Sequence, residues 1–383
     1  MPQSREAVII FQIGSLGDTV ISLPCYRHVI RSHADANIYL LTNYPTGKMV
    51  SPETVLPTGL ISGCVEYPMP LRGRGPISKL YGDLRRLHAT TLYYLAAETK
   101  LLGLMRHYAF FRICGINRII GMPWSRDLRS PREVLPGERW ESEASRLLRC
   151  IGAHSRPGAP SDGDRSLDLS EQEHVKAKKV LGPITTRPFI AVSTGGKIPI
   201  NDWGDANWRE LLNRVHLTHP DIALVLVGSA DERNRNDRLA AAWGGTALNA
   251  CGLLSPRETA ALRSRAILYI GHDTGTLHLA AAVGTRLVGI YSARNPPGKW
   301  FSDRDADTHL YTLVDCLGCE CVQARECPHD RRCITSIDVH TVHASAHKHI
   351  LQQLQEHTST PGPYGTQRAR ETSLVTLRER QRD

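Results

Sequence analysis

The chain has 383 residues, enough for two domains of roughly 100–200 residues each, and its 41% hydrophobic and 22% charged residues suit an ordinary globular protein. No run reaches the roughly 18 unbroken apolar residues of a membrane span, and MPQSREAVIIFQIG has no signal-peptide core, so a cytoplasmic protein is expected. A formal net charge of +9 leaves nucleic acid, an anionic membrane face or an anionic substrate as partners.

Ala7 to Ile13 reads as a buried strand and runs into Gly14-Ser15-Leu16-Gly17-Asp18 and a helix over Thr19–Ser32. GSLGD lacks the G-x-G-x-x-G fingerprint, so no redox dinucleotide is indicated. Asp18 opens a helix, where the dipole favours a negative charge. It reads either as a capping residue or as a general base at the top of a parallel sheet. Further strands are expected at Ile38–Thr42, Cys64–Met69, Thr91–Ala96 and Arg118–Gly121. Arg72–Arg86 is basic and Gly-rich, with Arg72 and Arg74 at its head; it is either a solvated face or a mobile element meeting an anionic acceptor. Trp140–Gly152 reads as an amphipathic helix, and Ser155–Asp168, rich in Pro, Gly, Ser and Asp, as a linker.

A second alternation follows. A helix over Ser170–Leu181 starts with a capping box, and strands are expected at Phe189–Ser193, Ala223–Gly228, Thr246–Leu248, Ala266–Ile270 and Arg286–Tyr291. Turns with Thr194-Gly195-Gly196-Lys197, Ser229 to Glu232 and Asp273-Thr274-Gly275-Thr276 sit at strand ends. Ligands of such sheets bind beyond the carboxyl ends of the strands. The Asp273 turn opens a small-residue helix whose unpaired N–H groups suit a phosphate. Asp273 itself, as an acceptor, suits sugar or ribose hydroxyls; an N-cap with no ligand reads the same way. Five of the ten cysteines crowd into Cys316 to Cys333, a metal clip or a set of local disulfides. A helix is expected over Val339–Glu356. Pro361–Asp383 has no apolar periodicity and reads as disordered.

Three separated pieces together resemble glycosyltransferase family 9, the lipopolysaccharide heptosyltransferases and their relatives: the first strand with GSLGD, Gly195-Gly196-Lys197 with Asp202-Trp203, and DTGTLHLAA from Asp273. The resemblance implies an α/β GT-B fold, two Rossmann-like doubly wound domains facing a cleft. Residues 1–160 would bind the acceptor. Residues 161–340 would bind the nucleotide sugar and carry the cysteine-rich loop 316–333. A C-terminal helix, 341–356, and a disordered tail, 357–383, would follow. It implies an inverting, metal-independent glycosyltransferase with Asp18 as base and Lys197 on the donor phosphate. Thr194, Gly196, Glu232, Asp273, Thr274, Gly275 and His278 would complete the donor site, and Gly17, Arg72 and Arg74 would meet the acceptor.

Cys316, Cys319, Cys327 and Cys333 would hold a structural zinc or iron, with no cofactor for catalysis. The expected partners are an ADP-heptose-like donor, an anionic glycolipid such as a lipopolysaccharide core, and the inner face of the cytoplasmic membrane. No nucleic-acid recognition element appears. A non-catalytic nucleotide-sugar-binding protein and a GT-B-fold epimerase are the alternatives. ADP release in the presence of acceptor separates the enzyme from both.

Overall fold

The computed structural model describes residues 6–44, 51–96, 100–153 and 162–359. Residues 155–161, half of the linker stretch, and the C-terminal segment expected to be disordered, 361–383, lie outside the described residues. Among the described residues no helix is long and apolar enough to cross a membrane.

Two parallel sheets organise the chain. The first has order β3-β2-β1-β4-β5, built from β1 (Ala7–Gln12), β2 (Asn37–Thr42), β3 (Gly63–Glu66), β4 (Thr91–Tyr94) and β5 (Arg118–Ile120). A short antiparallel hairpin, β6 (Glu133–Leu135) and β7 (Arg139–Trp140), follows it. The second sheet has order β10-β9-β8-β11-β12-β13. Its strands are β8 (Phe189–Ser193), β9 (Ala223–Leu226), β10 (Ala247–Asn249), β11 (Leu268–His272), β12 (Leu287–Ile290) and β13 (Thr308–Leu310). The central strands β1, β4, β8, β9, β11 and β12 are buried along their whole length. That is why they read as continuous apolar runs and not as alternating ones. In both sheets the chain starts centrally and reverses direction across the sheet, which leaves a crevice at the carboxyl edge beside β1 and β8.

The helix expected over Thr19–Ser32 is two: α1 (Leu16–Ile21) and α2 (Leu23–Ser32). They break at Ser22, whose hydroxyl donates to the Asp18 carbonyl at 2.8 Å, and Pro24 fits the first turn of α2. The helix expected from Trp140 starts only at Glu143, because Arg139 and Trp140 pair in the hairpin.

Among the described residues the halves touch at several places, three of which frame the crevice. The helix Gly275–Ala282 packs along α1, and its Leu279 and Ala282 join an apolar cluster with Val20, Leu23 and Tyr26. The hairpin end lies on the loop after β12: Trp140 N donates to Pro297 O at 2.8 Å and Glu143 N to Lys299 O at 2.8 Å. Arg257, from the second half, donates to Val55 O of the first at 3.2 Å, to the linker carbonyls of Leu167 and Asp168 at 3.0 and 3.2 Å, and to the Glu173 carboxylate at 2.6 and 3.1 Å. Every N–H of that guanidinium is thereby used.

Candidate active site between the two sheets

β1 delivers Gly14 to Asp18 to the crevice. Ser15 caps α1 and Asp18 closes a capping box: Asp18 Oδ2 accepts from Ser15 N at 2.6 Å and Ser15 Oγ at 2.8 Å. One carboxylate oxygen is thus committed to the helix start. Oδ1 has no hydrogen-bond partner among the described residues. The capping and general-base readings of Asp18 are therefore compatible, one oxygen for each.

Opposite lies the turn after β11. Asp273 is only 13% exposed, and its nearest charged-type neighbour is His278 Nε2 at 3.8 Å from Oδ1. Burial and the facing charge of Asp18 push the Asp273 carboxyl up to about 7, against the pull of Arg294 and Lys299. Burial holds His278 down at about 4, so its imidazole is neutral and the contact is not an ion pair. Thr274 is the N-cap of the helix Gly275–Ala282 but makes no side-chain cap bond; its hydroxyl instead shares a hydrogen bond with Thr276 Oγ1 at 2.6 Å. The first N–H groups of this helix are left without a side-chain partner.

The two helix starts meet back to back. A Cβ on Gly17 would lie 3.2 Å from Gly275 Cα and 3.1 Å from His278 Cδ2, and a Cβ on Gly275 would lie 2.8 Å from Leu16 Cδ2. Glycine at 17 and 275 is what lets Asp18 and the Asp273 turn face each other.

The turn after β8 completes the group. A Cβ on Gly196 would strike Thr274 Cγ2 at 2.6 Å, so this loop lies directly on the start of the Gly275–Ala282 helix, with the Lys197 side chain exposed and in no ion pair among the described residues. Beside it opens a cavity of about 260 Å3 lined by Gly195, Gly196, Asn201, Asp202, Glu232 and Arg235. Glu232 accepts from Ser229 N at 3.0 Å, and burial raises its carboxyl. It occupies the space that a Cβ on Gly195 or Gly228 would fill, 2.3 and 1.9 Å from its carboxylate oxygens.

Not every expected residue points into this group. The Thr194 side chain is fully buried, its hydroxyl donating to Asn236 Oδ1 at 2.8 Å, so only its backbone faces the loop. His278 points toward the first half, against Gly17 and, with ring centroids 6.5 Å apart, Trp300. Arg72 and Arg74 are exposed beyond β3, on the same carboxyl edge but two strands from β1.

The structure does not assemble the expected four-thiolate set at Cys316, Cys319, Cys327 and Cys333. Among the described residues no group of three or more His, Cys, Asp or Glu side chains is arranged to hold a metal ion, and all five thiols are free. Backbone contacts shape the loop instead. Gly318 N donates to Ala293 O at 2.9 Å, and Arg294 donates to Cys321 O at 2.8 Å and Glu320 O at 3.1 Å. What the loop seats is Arg294, beside Asp273. Sequence reading missed Arg294 and Lys299, although two cations in a Pro- and Gly-rich loop just past a strand end were a usable signal. It also missed Asn201, which donates to Asp273 O at 3.2 Å and accepts from Ser292 Oγ at 2.6 Å.

The site is chemically simple: one carboxylate with a free oxygen on one side of a crevice, and on the other an uncapped helix start, a free lysine and a buried carboxyl. That arrangement suits removing a proton from a hydroxyl while an anionic leaving group is held opposite. A family model for glycosyltransferase family 9 (heptosyltransferase) matches residues 116–310, just over half of the chain. No curated protein matches the chain by sequence. Among solved structures, glycosyl transferase family 9 from Veillonella parvula DSM 2008 superposes with a TM-score of 0.69 at 13% identity, over 92% of this chain and 99% of that one. For ADP-heptose lps heptosyltransferase II of E. coli the TM-score is 0.60 at 17% identity, over 91% and 99%. For E. coli heptosyltransferase WaaC with ADP-2-deoxy-2-fluoro heptose it is 0.57 at 12% identity, over 89% and 99%.

Proposed function

Since the chain belongs to glycosyltransferase family 9, and is thereby a glycosyltransferase with the α/β, GT-B architecture of two facing Rossmann-like domains, we propose that it moves heptose from ADP-heptose onto a lipopolysaccharide core or similar glycan, with inversion and without a catalytic metal. The observation that carries this reading is the juxtaposition of Asp18 with the Asp273-Thr274-Gly275 turn, across a close contact that glycine at 17 and 275 leaves unstrained. Residues 1–160 receive the acceptor and residues 161–340 the donor.

Asp18 Oδ1 takes the proton of the acceptor hydroxyl as that oxygen bonds to the anomeric carbon. The bond from that carbon to the diphosphate breaks, and ADP leaves. The Lys197 ammonium and the N–H groups at Gly275 and Thr276 receive the growing charge. Base and clamp belong to opposite halves of the molecule, which is compatible with a single displacement from the face away from the leaving group, the course that inverts the anomeric centre. Asp273 holds a sugar hydroxyl and Glu232 the ribose. The net charge of +9, with Arg72 and Arg74 exposed on the acceptor half, suits an anionic glycolipid at the inner face of the cytoplasmic membrane. The test is ADP release from ADP-heptose with a truncated core acceptor. Asp18→Asn should bind donor normally yet turn over about 10²–10⁴-fold more slowly. Near-normal turnover by that variant sinks the assignment.

A further inference from the structure

Arg263 ends the helix Pro256–Arg263 and is 0% exposed, among the largest fully buried side chains of the protein. A guanidinium stays protonated in any protein environment, so this is a permanent buried charge. Its surroundings do not neutralise it. Nη1 donates to Thr276 O at 2.8 Å, and the Tyr269 ring lies 5.0 Å from its central carbon. Nε and Nη2 have no hydrogen-bond partner among the described residues. It forms no ion pair among the described residues. Tyr269 and Cys251 are both held neutral by burial, and Glu232, whose carboxylate is bonded to Ser229 N, acts on Arg263 through its field without forming an ion pair with it. An unpaired buried charge is costly, and structures keep one only where something compensates it.

The position of Arg263 says what that is. Its one hydrogen bond grips the first turn of the helix Gly275–Ala282. From the stacked Tyr269 a chain of hydroxyls runs outward to the helix start, Tyr269 to Thr276 at 3.0 Å and Thr276 to Thr274 at 2.6 Å. A buried cation thus stands directly beneath an uncapped helix N-terminus eight residues long, and both favour one thing outside: an anion. We propose that Arg263 is the inner half of a diphosphate site, a positioning residue whose charge is compensated only when a diphosphate occupies the start of the Gly275–Ala282 helix. This rests on the donor-site reading above and adds to it the groups that recognise the leaving group from within. Arg263 touches no substrate atom. It acts through the helix start and through its field, which low polarity around it leaves poorly screened.

The test separates charge from packing. Arg263→Lys keeps a cation; Arg263→Gln keeps a donor for the Thr276 carbonyl without the charge; Arg263→Met keeps only bulk. Binding of ADP and of inorganic pyrophosphate is measured by calorimetry, beside the melting temperature of the ligand-free protein. The expectation is that Gln and Met weaken both ligands about tenfold or more, that Lys stays within about threefold, and that the ligand-free neutral variants melt no lower than the lysine variant. Gln or Met binding pyrophosphate as tightly as Lys overturns the proposal. So does failure of both neutral variants to fold, which makes the cation structural, and so does a wild type that binds neither ligand. If instead the wild type leaves ADP-heptose unconsumed while pyrophosphate binding follows the charge at 263, the sugar-transfer reading fails and the anion site stands.

Discussion

Asp273→Asn makes the protonation of the buried carboxyl measurable. Burial, with Asp18 facing it, raises Asp273 from an ordinary value near 3.8 to about 7. The folded protein therefore binds this proton more tightly than the unfolded chain does. Stability is unaffected below the ordinary carboxyl value, falls as pH rises toward about 7, and levels off above it. Each unit of separation is worth about 1.4 kcal/mol, so between pH 5 and pH 8 the wild type should lose about 2–3 kcal/mol relative to the asparagine variant, which cannot ionise. Because Asp273 is 13% exposed, solvent relaxation makes this a ceiling. Urea unfolding of both proteins without ligand, at pH 5 and pH 8, reads the difference directly. The dependence should shrink in Asp18→Asn, which removes one of the two causes of the shift. Parallel stability profiles for wild type and Asp273→Asn would refute the claim that the carboxyl is buried against Asp18.

Lys197→Ala should raise the donor KM and also lower kcat, since charge on the leaving diphosphate grows toward the transition state; a change in KM alone would mean the lysine only binds. Gly228→Ala places a methyl group 1.9 Å from a Glu232 oxygen and should weaken ADP binding as much as Glu232→Ala does, with equal binding to wild type counting against Glu232 as a nucleotide contact. Asp273→Ala should harm binding of ADP-heptose more than binding of ADP; equal losses, measured by calorimetry, would place the residue away from the sugar.

What the sequence made legible was local. Strand, turn and helix follow one another without a break at Gly14–Asp18 and at Asp273–Gly275, so both halves of the site could be read from adjacent residues. The third-layer elements could not. β13 is three half-buried residues, Thr308 to Leu310, with no periodicity to see, and the hairpin at Glu133–Trp140 is exposed or half-buried throughout. Residues whose role depends on a distant neighbour were equally hidden. Arg263 in PRETAALR reads as an ordinary cation at a helix C-terminus, where the dipole favours it anyway, and only the packing of Tyr269 and Thr276 around it shows otherwise. The burial of the Thr194 side chain was hidden for a related reason. The residue follows a strand in which alternate side chains turn to opposite faces, and its hydroxyl falls on the face occupied by Asn236.

The contacts that join the halves also set how they can move. Arg257 fastens the first half to the second through the Val55 carbonyl, and the Trp140–Pro297 and Glu143–Lys299 bonds fasten them again elsewhere. The apolar packing of Leu279 and Ala282 on Val20, Leu23 and Tyr26 joins them a third time, and Arg27 and Arg31 of α2 add ion pairs to Asp168 and Asp164. At the Gly17–Gly275 contact no hydrogen bond crosses between the halves among the described residues, so packing alone holds that seam. Any movement that parts the halves must open the Gly17–Gly275 contact and uncover Leu279 and Ala282, so it works against buried apolar surface and not against hydrogen bonds at that seam.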